Sequence, residues 1–123
     1  MSTDIDIDVA TQFLDTQSEP DAGRYVFAYT IRISNVGEET AQLKRRHWII
    51  TDSNGKVQEV RGDGVVGEQP TLQPGTAFEY SSGAIIETPV GTMQGEYEMI
   101  SADGKPFDAT IEPFTLAVPG ILQ

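Results

Sequence analysis

The most regular segment of this chain is Tyr25-Val26-Phe27-Ala28-Tyr29-Thr30-Ile31-Arg32-Ile33. Tyrosine, phenylalanine and isoleucine stand at every second position, with smaller or polar residues between most of them. A period of two residues is that of a β-strand with one face in a hydrophobic core, because successive side chains point to opposite faces. Ser34-Asn35-Val36-Gly37 follows, and its turn-forming residues end the pattern. The segment therefore predicts a strong, half-buried strand.

The same alternation, bounded by turn-forming residues, recurs along the chain. Asn54-Gly55 and Asp103-Gly104 predict tight hairpins, because these residues tolerate the positive φ angles that such turns require. Helical spacing is nowhere sustained. The pattern predicts an all-β fold, an immunoglobulin-like β-sandwich of about seven antiparallel strands in two sheets. The predicted strands span about 5–9, 25–33, 41–51, 56–61, 76–82, 92–101 and 106–112.

Two details sharpen the expectation of a sandwich. Trp48 falls in the third predicted strand, where immunoglobulin-like domains commonly bury a tryptophan. Gly95-Glu96-Tyr97-Glu98-Met99 is similar to a tyrosine-corner segment, with Met99 where an antibody domain has a disulfide cysteine. Packing would then replace the covalent link. The residues predicted to supply much of the core are Tyr29, Ile31, Ile33, Trp48, Ile50, Phe78, Tyr80, Tyr97, Met99 and Ile111.

Length and composition limit the possible classes of protein. With 123 residues, positions 1–123 suit a single domain that buries one core. The chain has no cysteine, so it offers neither a disulfide nor a thiolate ligand. The first residues lack the basic and apolar regions of a secretory signal, and no apolar run is long enough to span a membrane. We expect a cytoplasmic protein.

The formal net charge is −11, but the basic residues are concentrated. An acidic surface repels nucleic acid and anionic membranes, so neither is an expected partner. Only a local site could attract an anion, and the candidate anion-binding residues are Arg45, Arg46, His47 and Arg61. The alternative is that these bases offset the acidic remainder of the protein across neighbouring strands.

Gly62-Asp63-Gly64-Val65-Val66-Gly67 contains the spacing G-x-G-x-x-G. A dinucleotide fingerprint requires a helix after the third glycine, whereas Pro70 and Pro74 follow here. No Lys-Ser/Thr pair follows the last glycine either, so a P-loop is excluded. The glycines are interpreted as a loop that holds a protein partner, or whose amides form a nest for phosphate. The candidate binding loop consists of Gly62, Asp63, Gly64 and Gly67.

Catalytic chemistry has little support in the sequence. His47 is the only histidine, and no serine lies in a nucleophile motif. Asp4, Asp6 and Asp8 share one face of the first strand, but alternate strand residues lie about 6.6 Å apart and cannot easily converge on one cation. We predict no catalytic residue, no metal site and no cofactor; an uncharacterised phosphate chemistry is the remaining enzymatic alternative.

A long ordered set of residues resembles the bacterial ApaG family. It includes Arg46-His47-Trp48-Ile49-Ile50-Thr51-Asp52, Val60 to Pro70, Tyr80-Ser81-Ser82-Gly83, Glu87-Thr88-Pro89 and Pro113-Phe114. The resemblance implies a fibronectin type III or immunoglobulin-like sandwich. Related domains in F-box proteins and in a DNA-polymerase-delta-interacting protein imply a protein-interaction module. The family has also been linked with cobalt resistance and magnesium efflux, and its glycine motif corresponds to Gly62, Gly64 and Gly67.

Two functions from different classes follow as expectations. The first is a non-catalytic protein-interaction module that uses strand edges and the glycine loop, linked at most indirectly to cobalt or magnesium homeostasis. Its partner is an unknown protein, and the chain itself is a monomer or a homodimer paired through a strand edge. The alternative is a binder of a phosphate-bearing small molecule, a nucleotide or a divalent metal, using the loop 62–67 and the basic strand 44–48.

Overall fold

The computed structural model describes residues 4–120, which fold as an antiparallel β-protein. Two short 3₁₀ turns, Asp15–Gln17 and Pro20–Ala22, join the first two strands. Within residues 4–120 there is no α-helix, and no helix long and apolar enough to cross a membrane. The strands are β1 (Ile5–Phe13), β2 (Tyr25–Asn35), β3 (Ala41–Asp52), β4 (Val57–Asp63), β5 (Thr71–Leu72), β6 (Ala77–Ile86), β7 (Val90–Ser101) and β8 (Pro106–Ala117).

The strands form two sheets. One has the order β1-β2-β6, and the other has the order β4-β3-β7-β8, with the two-residue β5 also paired to β3. Every pairing is antiparallel. This three-on-four arrangement, with β5 as an addition, is that of a fibronectin type III sandwich. The predicted fold class is therefore confirmed, and β5 is the one strand the sequence pattern missed.

The segment with the clearest alternation forms the centre of the three-stranded sheet. Phe27, Ile31 and Ile33 are fully buried, and Tyr29 is nearly so. β2 pairs along its length with β1 on one side and β6 on the other. Burying each such side chain contributes roughly 1.5–3 kcal/mol relative to leaving it exposed. The alternating apolar residues therefore identify the face of β2 that packs against the second sheet.

A bulge in β3 changes which positions face the core. Its register with β7 shifts between Leu43 and Arg45. Before the shift, Leu43 is buried; after it, Trp48 and Ile50 are buried. Because one extra residue moves all later side chains to the opposite face, the buried positions change from odd to even numbers. Arg45 therefore faces away from the core.

Most of the predicted core is confirmed, with two corrections. All the predicted core residues are buried except Phe78, which is half-buried and packs against the core. Tyr97 does not form a tyrosine corner. Its hydroxyl lies 2.5 Å from that of Tyr80, which joins the two sheets, so the bond goes across the core and not to the backbone of its own connection. Met99 is buried in the core, as predicted.

Both predicted hairpins are present. Gly55 has φ of 83° and Gly104 has φ of 85°, and each is the last residue of a turn that its own N–H closes by a backbone hydrogen bond. In the first turn, the Asp52 carboxylate also accepts bonds from the N–H groups of Asn54 and Lys56. Asn54 itself keeps negative φ. A single glycine, and not the Asn-Gly pair, therefore provides the left-handed residue.

Candidate functional site

The glycine motif divides between a strand and a turn. Gly62 and Asp63 are the last residues of β4 and pair with Arg46 and Arg45 of β3. The chain leaves the strand only at Gly64, which has φ of 63°. A side chain at Gly64 would collide with the Glu68 carbonyl group. The predicted loop 62–67 is thus corrected: its first two residues belong to the sheet, because backbone pairing with β3 continues to Asp63.

The turn itself is a tight two-residue connection. Val65 N–H donates to Glu68 O at 2.8 Å, and Glu68 N–H donates back to Val65 O at 2.9 Å. Between them Val66 has φ of 43° and Gly67 has φ of 82°, the signs of a type I′ turn. A β-branched residue with positive φ is a genuine outlier. Val65 is fully buried and anchors the turn, whereas Val66 is 57% exposed at its tip.

Two amides of the motif, those of Gly64 and Val65, and the amide of the following Glu68 are engaged in backbone hydrogen bonds. Gly64 N–H donates to Lys44 O at 2.9 Å, and the N–H groups of Val65 and Glu68 bond across the turn. Amides bound to backbone carbonyl groups are not available to a phosphate unless the turn rearranges. The structure also continues from this turn to β5 and not to a helix. The arrangement therefore lacks the helix N-terminus of a dinucleotide site.

Arg46 supports the turn from the inner side of the sheet. It lies two residues before Trp48, on the same face of β3, and pairs with Tyr97 of β7. Trp48 and Tyr97 are both buried. Its Nη1 donates to the carbonyl oxygens of Asp63 and Gly64, both at 3.0 Å. The guanidinium lies against Gly62, whose missing side chain leaves the necessary space. The Arg46 side chain thus leaves β3 on the opposite face from Arg45 and His47, although Arg46 still lines one cavity together with Arg45 and Arg61.

Arg45, His47 and Arg61 lie together on the outer face of the five-stranded sheet. Cross-strand pairing places Arg61 beside His47, and Arg45 beside Asp63. Arg45 Nε is 3.5 Å from the Asp63 carboxylate, and Arg61 Nη2 is 3.2 Å from Glu59. These bases therefore lie within reach of carboxylates of the same face. The pairing agrees with the alternative that the bases offset neighbouring acids.

His47 is held between two carboxylates. Its Nδ1 lies 2.8 Å from Glu96 of β7, and its Nε2 lies 2.6 Å from Glu59 of β4. The imidazole side chain is only 12% exposed. The hydrogen bonds to Glu96 and then to Glu59 raise the pKa of His47 above its usual value of 6.5, and the bond to His47 lowers the pKa of Glu59. Because both ring nitrogens face carboxylate oxygens, these partners stabilise the imidazolium, which can donate from each nitrogen.

Two cavities adjoin the β3–β4 region, with volumes of about 240 and about 270 Å³. The first adjoins Gly62 and the second adjoins His47. Carboxylates contribute to both walls, so neither cavity has a purely basic lining. The lining residues are Arg45, Arg46, Arg61, Gly62, Asp63 and Glu98 in the first, and His47, Arg61, Glu96, Glu98 and Asp108 in the second.

Metal chemistry gains no support from the described part of the chain. Among residues 4–120, no group of three or more His, Asp or Glu side chains is arranged to hold a metal ion. Asp6 and Asp8 stand exposed on the same face of β1, as predicted. Anion binding by the basic residues of β3 and β4 does not depend on a metal site and stays a prediction.

Sequence reasoning missed two features of this region. Glu59 and Glu96 were not connected with His47, because the partners of a strand residue depend on register and not on sequence distance. The exposed Val66 was not singled out, because Val-Gly is not one of the dipeptides, such as Asn-Gly or Asp-Gly, that signal a tight hairpin. The positive φ of Val66 is visible only in the structure.

Fold and surface together define a small fibronectin type III-like domain whose outer face carries paired acidic and basic side chains. The model of the ApaG domain matches residues 15–101. Over 119 residues, the chain is 63% identical to Protein ApaG of Thiobacillus denitrificans and 58% identical to Protein ApaG of Aromatoleum aromaticum. Each alignment covers 97% of this chain and 94% of the relative. The crystal structure of an ApaA protein from Bordetella pertussis superposes with a TM-score of 0.94 at 50% identity, covering 97% of each chain. The chain belongs to the ApaG family.

Proposed function

We propose that this chain is a non-catalytic protein-binding domain that acts in the cytoplasm and contacts its partner through the turn Val65–Glu68. The observation that carries the proposal is the combination of solvent exposure and positive φ at Val66. An exposed valine with φ of 43° is unfavourable in the isolated protein, both in backbone conformation and in hydration. A protein surface that covers this side chain would compensate for part of that cost.

The surroundings of the turn support a preformed contact. Buried Val65 and the two hydrogen bonds of Arg46 hold the turn to the sheet, so little order has to be gained on binding. β4, which leads into the turn, is an end strand of its sheet. An end strand offers backbone groups to an added strand of a partner. A link to cobalt or magnesium homeostasis would then be indirect, through that partner.

The second candidate is a phosphate-bearing ligand in the cavity beside Gly62. Three arginines line this cavity, which favours an anion. Asp63 and Glu98 line it as well, and Arg46 already bonds to two carbonyl groups. A phosphate would therefore have to compete with existing partners. We rank this function below protein binding.

Partner capture with matched variants tests the first proposal. Val66→Asn removes the apolar side chain at the tip of the turn, and asparagine tolerates the left-handed backbone conformation there. We therefore expect the variant to fold but to lose partner capture. Val36→Asn is the control, because Val36 has the same 57% exposure on a different turn. Bound proteins are quantified by mass spectrometry after cross-linking in a bacterial lysate. Equal capture by both variants and the parent would refute the role of the turn.

An amide NMR titration tests the second candidate. Pyrophosphate, with and without magnesium, is added to the millimolar range. Phosphate binding predicts saturable shifts of Arg45, Arg46 and Arg61 to Gly64. Unchanged amides across this region at the highest concentration would exclude binding of useful affinity.

A further inference from the structure

A groove lies on the opposite side of the sandwich, where β1 and β8 end their respective sheets. Its volume is about 370 Å³. The half-buried Ile5, Ile7 and Val9 form one wall, and Ile111 and Phe114 contribute to the other. It is therefore a cleft between two end strands in which apolar side chains alternate with polar and acidic ones.

Only one of these two strands has an uninterrupted edge. β8 contains Pro113, which has no backbone N–H, and its pairing with β7 shifts register beside Pro113. Both features are known to block strand addition. β1, in contrast, keeps one continuous register with β2 from Ile5 to Phe13 and contains no proline. Its outward N–H and C=O groups are therefore the ones suited to pair with another strand.

The charge of this side indicates the chemistry of the occupant. Asp6, Asp8 and Glu112 line the groove, and neither β1 nor β8 contains a lysine, arginine or histidine. The nearest base by register is Arg32, which stands between Asp8 of β1 and Glu79 of β6 and so is shared by two acids. The acidic rim is complementary to a basic segment.

A second copy of this chain fits poorly. If two β1 strands paired antiparallel about Ile7, Asp6 of each would stand opposite Asp8 of the other. Like charges directly opposite each other destabilise a strand pair. Two chains that each carry a net charge of −11 also repel one another.

From these observations we propose that β1 binds an extended basic segment of a partner protein, which adds as a fourth strand beside β1 and covers the groove. Apolar side chains of the segment fill the cleft beside Ile7 and Phe114. The alternating Lys or Arg side chains lie along Asp6 and Asp8. The inference rests on the proposed protein-binding function and assigns the chemistry of one partner segment.

A synthetic strand tests the proposal with the full chain. The probe is the acetylated amide Lys-Val-Lys-Val-Lys-Val-Lys, titrated by calorimetry and by amide NMR. We expect saturable binding, shifts confined to Ile5–Val9 and Thr110–Phe114, and slower hydrogen exchange of alternate β1 amides. Glycine in place of valine in the probe keeps the charge and removes the apolar contacts, so binding should weaken by about tenfold or more.

Charge variants identify the surface. Asp6→Asn/Asp8→Asn should weaken binding of the probe by about tenfold. Asp15→Asn/Asp21→Asn removes the same charge from the exposed 3₁₀ turns and should leave binding unchanged. Equal effects of both pairs, or shifts outside the groove, would overturn the proposal in favour of non-specific attraction. Concentration-dependent dimerisation with shifts in β1 would replace it with a second copy of the chain.

The outcome is separable from that of the proposed function. If the peptide probe does not bind but partner capture still depends on Val66, only the proposed β1 site is refuted. Equal partner capture by Val66→Asn and the parent, which would refute the role of the turn, has no bearing on peptide binding at β1, because the two surfaces lie on opposite sides of the sandwich.

Discussion

Arg46 occupies the space that a side chain at Gly62 would fill. An added Cβ at Gly62 would lie 2.7 Å from Arg46 Nη1, the same atom that donates to the carbonyl oxygens of Asp63 and Gly64. The first glycine of the motif therefore seats an arginine that fastens the following turn. Its conformation is that of an ordinary strand residue, so conformational freedom is not the reason for glycine here.

This relationship predicts a non-additive pair of substitutions. Gly62→Ala displaces the end of a flexible side chain, so it should lower the free energy of unfolding by only about 1 kcal/mol, the contribution of lost hydrogen bonds. Arg46→Ala should cost about as much, and the double variant should cost little more than Arg46→Ala alone. Chemical denaturation of all four proteins measures the cycle. Strict additivity would contradict the proposed contact.

Gly95→Ala should be far more damaging than Gly62→Ala. A Cβ at Gly95 would overlap the carbonyl oxygen of His47, which is backbone fixed within the sheet. Neither strand can shift without disturbing Trp48, so we expect a loss on the order of 3 kcal/mol or no folded protein. Denaturation midpoints and soluble yield provide the measurement. A stability equal to that of Gly62→Ala would show that the strands adjust freely.

Replacing Val66 should stabilise the isolated protein. Asparagine tolerates positive φ better than a β-branched residue, so Val66→Asn should raise the free energy of unfolding by about 1 kcal/mol. Val36→Asn should change it by less than about 0.5 kcal/mol, as expected for an exposed position without backbone strain. Thermal and urea unfolding compare the two. A destabilised Val66→Asn would mean that the valine has packing contacts of its own.

His47 should make stability depend on pH near neutrality. Its pKa is higher in the folded state than the ordinary 6.5, so the folded protein holds the proton more tightly. The stability that protonated His47 contributes is fully present below pH 6.5 and is lost as the pH rises through the folded-state pKa. His47→Gln should remove that part of the pH dependence. Urea unfolding between pH 5 and pH 9, with NMR titration of the imidazole, tests it; a folded-state pKa below 6.5 would refute it.

The hydroxyl pair of Tyr80 and Tyr97 should also behave as a unit. Burial raises the pKa of both groups, so both hydroxyls stay protonated and share a neutral hydrogen bond. Tyr97→Phe leaves the Tyr80 hydroxyl unpaired in the core and should cost about 1–3 kcal/mol. Tyr80→Phe/Tyr97→Phe removes both polar groups and should cost less than the sum of the single changes. Additive losses in urea unfolding would argue against the pair.

The sequence predicted the strands better than their ends. β1 and β8 continue to Phe13 and Ala117, well beyond the alternating segments that identified them. In β8 the register shift beside Pro113 changes the buried positions from odd to even numbers, and in β1 residues 10–12 are all exposed, so neither extension alternates. β5 was missed because two residues carry no periodicity.

The candidate site was predicted less completely than the fold. Arg45 and Arg61 lie on the same face of the sheet, as their grouping in the sequence suggested, but the side chain of Arg46 lies on the opposite face. Alternation alone accounts for that separation once the pairing of β3 is known. The sequence also contained no sign that Glu59 and Glu96 would enclose His47, since these acids come from two different strands.

The sequence by itself determined the class of element and the positions of most turns, because period-two burial and turn-forming residues act within a few positions along the chain. It also determined the family resemblance, since that depends on residue order alone. Only the tertiary structure decided which charges meet, where the buried face of β3 changes and where Val66 is strained. Those features depend on strand register and on the bulge in β3, where a shift of one residue moves every later side chain to the other face.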